Sequence, residues 1–100
     1  MSKLLPITHN EQIEGFLFEC PGCGNCHDIC IKPYKAPNGA SWTWNGSMDK
    51  PTFHPSILAK VERTDGRVDI CHLFVQEGRI HYLLDCTHAS AGQSVDMPNQ

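Results

Sequence analysis

The sequence predicts a small, mainly β fold, an antiparallel meander with a cysteine-rich turn at one end; α+β is the alternative. Three observations predict it. Ile57–Arg63, Val68–Val75 and Arg79–Cys86 are β-like runs separated by Asp65-Gly66 and Glu77-Gly78 at hairpin spacing. No stretch sustains helical periodicity. Four of the six cysteines fall within Cys20–Cys30, and bulky core formers are few: seven Ile, seven Leu, four Val and four Phe. A core that small often needs a staple. The 100 residues fit a single domain, 1–100.

The elements follow in order. Residues 1–14 are polar and irregular, and Pro6 argues against a helix. Gly15–Glu19 reads as a short strand running into Cys20. Residues 20–30, CPGCGNCHDIC, read as a turn-rich cluster, and 33–40 as a loop with two prolines. Ser41–Trp44 reads as a strand closed by Asn45-Gly46. Pro51 and Pro55 make 49–55 extended but not a central strand. Residues 87–100 hold a small-residue stretch and then a short apolar-polar alternation.

The net charge of −3 argues against capture of nucleic acid backbones. No window approaches a membrane span and no apolar leader is visible, so a cytoplasmic location is expected. Thiols stay reduced there, which favours metal binding over disulfides.

Three metal chemistries fit the cysteines. Cys20-Pro21-Gly22-Cys23-Gly24 has the form of a zinc knuckle, which supplies two thiolates and needs two more ligands. The hairpin offers them. A two-residue turn at Glu77-Gly78 sets Cys71 opposite Leu84, with Cys86 one diagonal step away on the same face and His72 on the other. The expected ligands of a Zn²⁺ ion are therefore Cys20, Cys23, Cys71 and Cys86. Cys20, Cys23, Cys26 and Cys30 also match the spacing of an iron–sulfur run, without the usual proline after the last cysteine. Cys23–His27 matches the haem-attachment pattern, with Met48 or Met97 as axial ligand.

Phe18–Gly24 with His27 and Ile29, Trp44-Asn45-Gly46-Ser47, Lys50–Phe53, Pro55-Ser56-Ile57, Cys71-His72 and Asp85-Cys86-Thr87-His88 together resemble a small family. It is spread through tailed-phage and prophage genomes and is often labelled "ammonia monooxygenase" by automated assignment. Those oxygenases are membrane complexes, which this chain does not resemble. The resemblance implies a phage-borne zinc-binding protein in the host cytoplasm. Its pattern includes Cys20, Cys23, His27, Cys71, His72, Cys86 and His88, with Cys26 and Cys30 outside it.

Two function classes follow. The first is a zinc-stabilised accessory protein that binds a host or phage macromolecule, most naturally a protein. Trp42, Trp44, Asn45 and His54 form the expected ligand or partner surface. The second is a zinc-dependent hydrolase using His27, His72, His88 and Asp85. No H-E-x-x-H, G-x-S-x-G or P-loop motif is present. Apolar residues on both faces of the meander suggest a homodimer.

Overall fold

Turn chemistry divides the chain into two antiparallel sheets. The structure, a computed structural model, describes residues 2–99, and among these there is no helix. The first sheet has the order β1-β2-β3, formed by Leu5–His9, Gln12–Glu19 and Cys26–Cys30. The second has the order β4-β5-β6-β7-β8, formed by Thr43–Trp44, Phe53–Glu62, Val68–Gln76, Arg79–Tyr82 and Ser94–Asp96.

The predicted meander is present as β5-β6-β7. Gln76 pairs with Arg79 across Glu77-Gly78, and both turn residues have positive φ, 51° and 76°. That is the twist a two-residue hairpin requires. The same ladder pairs Leu73 with Tyr82, which is the register the Glu77-Gly78 turn implied. β7 ends at Tyr82, so Leu84 and Cys86 follow it in a turn held by Cys86 N–H donating to Leu83 O.

The first sheet holds more strand than the sequence showed. His9 pairs with Gln12 around Asn10-Glu11, again with positive φ at both residues. Pro6 is tolerated because β1 lies at a sheet edge. The second half of the cysteine cluster is also extended. Cys26–Cys30 pairs along β2 from Glu19↔Cys26 to Gly15↔Cys30. Phe53–Pro55 belongs to β5, and the register shifts between Phe53 and Ile57, so Pro55 sits at an irregularity.

Strict alternation builds one core between the sheets. Phe16, Phe18 and Cys20 point inward from and just beyond β2, and His27 and Ile29 from β3. Phe53, Ile57, Cys71, Leu73, Val75, Ile80 and Tyr82 face them from the second sheet. The Phe16 ring lies 4.7 Å from Trp44 and 6.1 Å from Phe53, centroid to centroid. Residues between these positions point away from the core, and β6 therefore presents Cys71 to the interior and His72 to the outer face.

Candidate catalytic triad and metal centre

The inner end of the core gathers sulfur. A turn at Cys20–Gly24 closes with Gly24 N–H donating to Cys20 O, and Cys20 N–H donates to Asn25 O. Gly24 has φ +77°, a conformation that favours glycine. Gly22 is needed for a different reason. A Cβ there would lie 2.7 Å from both Tyr82 Cζ and His88 Cε1, so the knuckle backbone sits directly on those rings.

Cys20, Cys23, His27 and Cys71 bring one ligand atom each within 4.8 Å of the others. Cys20 Sγ is 3.7 Å from Cys71 Sγ, and Cys23 Sγ is 3.5 Å from His27 Nε2. Metal–sulfur bonds of about 2.3 Å and metal–nitrogen bonds of about 2.0–2.1 Å at tetrahedral angles separate neighbouring ligands by about 3.5–3.8 Å. The donor set and its spacing fit a tetrahedral metal ion.

Electrostatics prepares the site. Cys20 is lowered to about 3, chiefly because the Cys71 thiol donates to it, with help from His27 and the Tyr82 hydroxyl. Tyr82 Oη is 3.0 Å from Cys20 Sγ and accepts from Gly22 N–H at 2.9 Å, so its proton points at the sulfur. Cys71 is raised strongly because it is the proton donor of that pair, and Cys23 is raised by burial.

Cys71, Cys86 and His88 form a second, adjoining group. Two of its members have other work. His88 Nδ1 accepts from Ser90 N–H at 3.2 Å, which leaves its proton on Nε2, 3.4 Å from Cys71 Sγ. His88 thus donates to the Cys71 sulfur it neighbours. Cys86 Sγ donates to His72 O at 3.1 Å and accepts His72 N–H at 3.2 Å. It pegs the backbone of β6 at His72.

The outer face of the same strands carries a different constellation. Ser56 Oγ lies 3.1 Å from His72 Nε2. His72 Nδ1 lies 3.0 Å from Asp85 Oδ2 and 3.2 Å from Asp85 Oδ1. The carboxylate only accepts, so Nδ1 carries the proton and Nε2 is free to accept from the serine. Serine, imidazole and carboxylate stand in hydrogen-bonded series, the geometry of an activated hydroxyl nucleophile. Leu58 is the residue paired with His72, and Ser56 stands one diagonal step away on the same face of β5, where Trp42 Nε1–H holds its carbonyl at 3.2 Å.

The sequence-derived residues therefore separate. Cys20, Cys23 and Cys71 come together with His27, while Cys86 lies in the adjoining group with Cys71 and His88. His72 and Asp85 meet each other, but His72 belongs to neither Cys/His group among the described residues. Cys26 and Cys30 also lie outside both groups, on the strand face opposite His27. Trp44 packs on Phe16 and donates to Ser47 O, and the Asn45 side chain closes its own turn with Ser47 and Lys50. His54 is exposed.

Ser56 was not read as a nucleophile, although Pro55-Ser56-Ile57 stood among the residues that carry the family resemblance. Its place on a strand paired with the His72 strand was a further signal, and the absence of G-x-S-x-G hid it, since that motif belongs to a strand–turn–helix context. No helix long and apolar enough to cross a membrane occurs among the described residues. The sequence model of the family described as bacterial ubiquitination-like system serine protease (BubE) matches residues 2–83, ending two residues before Asp85. No curated protein and no solved structure matches the chain.

Proposed function

The chain belongs to the bacterial ubiquitination-like system serine protease (BubE) family, and on that premise we propose that it is a serine hydrolase acting through Ser56, His72 and Asp85. The observation that carries this reading is the continuous Ser56–His72–Asp85 hydrogen-bond chain.

Each step follows from the geometry. Ser56 Oγ attacks a substrate carbonyl carbon while its proton passes to His72 Nε2. Asp85 keeps the other proton on Nδ1 and stabilises the imidazolium that forms. Collapse of the tetrahedral intermediate breaks the bond to the leaving amine or alcohol, which takes the proton from Nε2. Water then repeats the sequence on the acyl-enzyme, returning the acid and free Ser56. In a conjugation-like system the acyl group is the C-terminal carboxyl of a small protein modifier, joined to a target as amide or ester. The macromolecular partner expected from the sequence is then the substrate.

The metal centre has a structural part. A Zn²⁺ ion held by Cys20, Cys23, His27 and Cys71 would tie the knuckle and β3 to β6, one residue from His72. It would supply rigidity to a thin core, and no step passes through it. This differs from the zinc-hydrolase alternative, in which His27, His72, His88 and Asp85 would serve a catalytic metal.

The test is a fluorophosphonate probe, which phosphonylates activated serines with loss of fluoride. The expected result is one adduct, on Ser56, lost in Ser56→Ala. Labelling that persists in Ser56→Ala, or a folded wild-type protein that resists the probe, overturns the triad.

A further inference from the structure

The second sheet is incomplete along the strand that carries Ser56. β4 pairs with β5 only at Thr43↔His54 and Trp44↔Phe53, whereas β6 covers β5 on the other side as far as Glu62↔Val68. The outer side of β5 from Leu58 to Glu62 has no partner strand among the described residues.

Which backbone groups point outward follows from the ladder. Arg63 N–H bonds to Arg67 O, making that pair the hydrogen-bonded one, so bonding alternates back through Val61, Ala59 and Ile57. His72 and Ile70 agree: both turn their carbonyls away from β5, to Leu83 N–H and Thr87 N–H. Leu58, Lys60 and Glu62 therefore aim N–H and C=O at the open edge.

A second open edge faces it. In the first sheet Ile31 N–H bonds to Glu14 O and Cys20 N–H to Asn25 O, so Cys26 and Asp28 turn their backbone groups outward by the same alternation. Trp42 already uses the next outward group, donating its N–H to Cys30 O. Between the two edges runs a groove of about 600 Å³, lined by Cys26, Asp28, Leu58, Ala59, Pro37 and Trp42 among others. Trp42, bridged to Ile31, and β4 fill one end of this gap; the rest has no partner strand among the described residues.

Resting on the serine hydrolase reading above, we infer that the groove takes an extended peptide tail of the substrate as an added β-strand. The occupant is the tail preceding the scissile carbonyl. Direction follows from β4. A strand continuing its line runs antiparallel to β5, with its C-terminal end approaching Trp42 and Ser56. That order delivers a C-terminal carbonyl to the nucleophile and leaves the upstream residues paired with Leu58, Lys60 and Glu62. Main-chain pairing supplies affinity, and the groove walls limit side-chain size. The stretch Leu58–Glu62 spans about 15 Å at about 3.3 Å per residue, enough for four or five tail residues.

The probe is acetyl-tetra-alanyl-glycinal, whose aldehyde forms a hemiacetal with an activated serine, and its singly N-methylated series. On the full chain, amide exchange by NMR should slow at least ten-fold at Leu58, Lys60 and Glu62 in the adduct. N-methylation should weaken inhibition ten-fold or more at alternate positions and less than two-fold between them. An adduct on Ser56 with unchanged exchange at those three amides overturns the edge inference alone, as does inhibition indifferent to N-methylation. Fluorophosphonate labelling of Ser56 without any aldehyde adduct also overturns it. Failure of both reagents overturns the triad reading and this inference with it.

Discussion

Asp85→Asn tests the triad most sharply, because it changes one charge and leaves the shape alone. The carboxylate sits 3.0 and 3.2 Å from His72 Nδ1. During acyl transfer it faces an imidazolium. Two unit charges about 4 Å apart interact by about 4 kcal/mol at an effective dielectric of 20 and about 1 kcal/mol in water. The Asp85 side chain is 54% exposed and that of His72 23%, so the site lies between these limits. A loss of about 2–3 kcal/mol follows, or about 30- to 150-fold in kcat at about 1.4 kcal/mol per decade. The loss is smaller than that of a buried triad carboxylate, about 10⁴-fold. Here solvent screens the charge, and an exposed asparagine can turn its own carbonyl oxygen to Nδ1. The assay is the rate of Ser56 phosphonylation by a fluorophosphonate, followed by intact mass. Asp85→Asn should label about 30- to 150-fold more slowly than wild type, and Ser56→Ala not at all. Wild-type labelling by Asp85→Asn would show that the carboxylate does not orient the imidazole, and the triad argument would fail at its third member.

Other consequences concern the metal and the core. Metal binding should release about two protons per ion near neutral pH, because Cys71 and Cys23 are raised and hold their protons while Cys20 is already a thiolate. Affinity must then rise with pH; calorimetry in buffers of different ionisation enthalpy measures the count, and a value near zero would rule out thiolate ligation by Cys23 and Cys71. Cys71→Ala should lose both metal and fold, whereas Cys86→Ala should keep the metal by mass spectrometry and lose about 1–2 kcal/mol with the two hydrogen bonds to His72. Equal metal loss in both would instead place Cys86 among the ligands. Gly15→Ala should destabilise by about 3 kcal/mol or more in urea, since its Cβ would lie 2.0 Å from Ile29 O, a backbone atom of the paired strand; a loss under about 1 kcal/mol would show that β2 and β3 separate easily.

The sequence by itself determined the meander and one wall of the metal centre. Glu77-Gly78 is a two-residue turn signal, and such a turn admits one register, so the separation of Cys71 from His72 onto opposite faces was readable before any coordinates. The knuckle was readable too, because Cys-Pro-Gly-Cys-Gly encodes its own turn. β1 was hidden by Pro6 and by Asn10-Glu11, a weak signal for a turn with positive φ at both residues. β3 was hidden by the density of cysteines, which resembled a loop until pairing with β2 extended it. The serine was beyond reach for a different reason. Ser56 and His72 are 16 residues apart, and the irregularity around Pro55 breaks the simple alternation that fixes register elsewhere. Local sequence specifies which face a strand residue takes, since the side-chain period is two. Which residues from different strands meet on that face depends on long-range pairing and on the bulge, and only the folded chain sets those. Folding therefore puts a cysteine-rich group inside the core and a hydrogen-bonded Ser–His–Asp series on its outer surface, with Cys71 and His72 on the two sides of one strand.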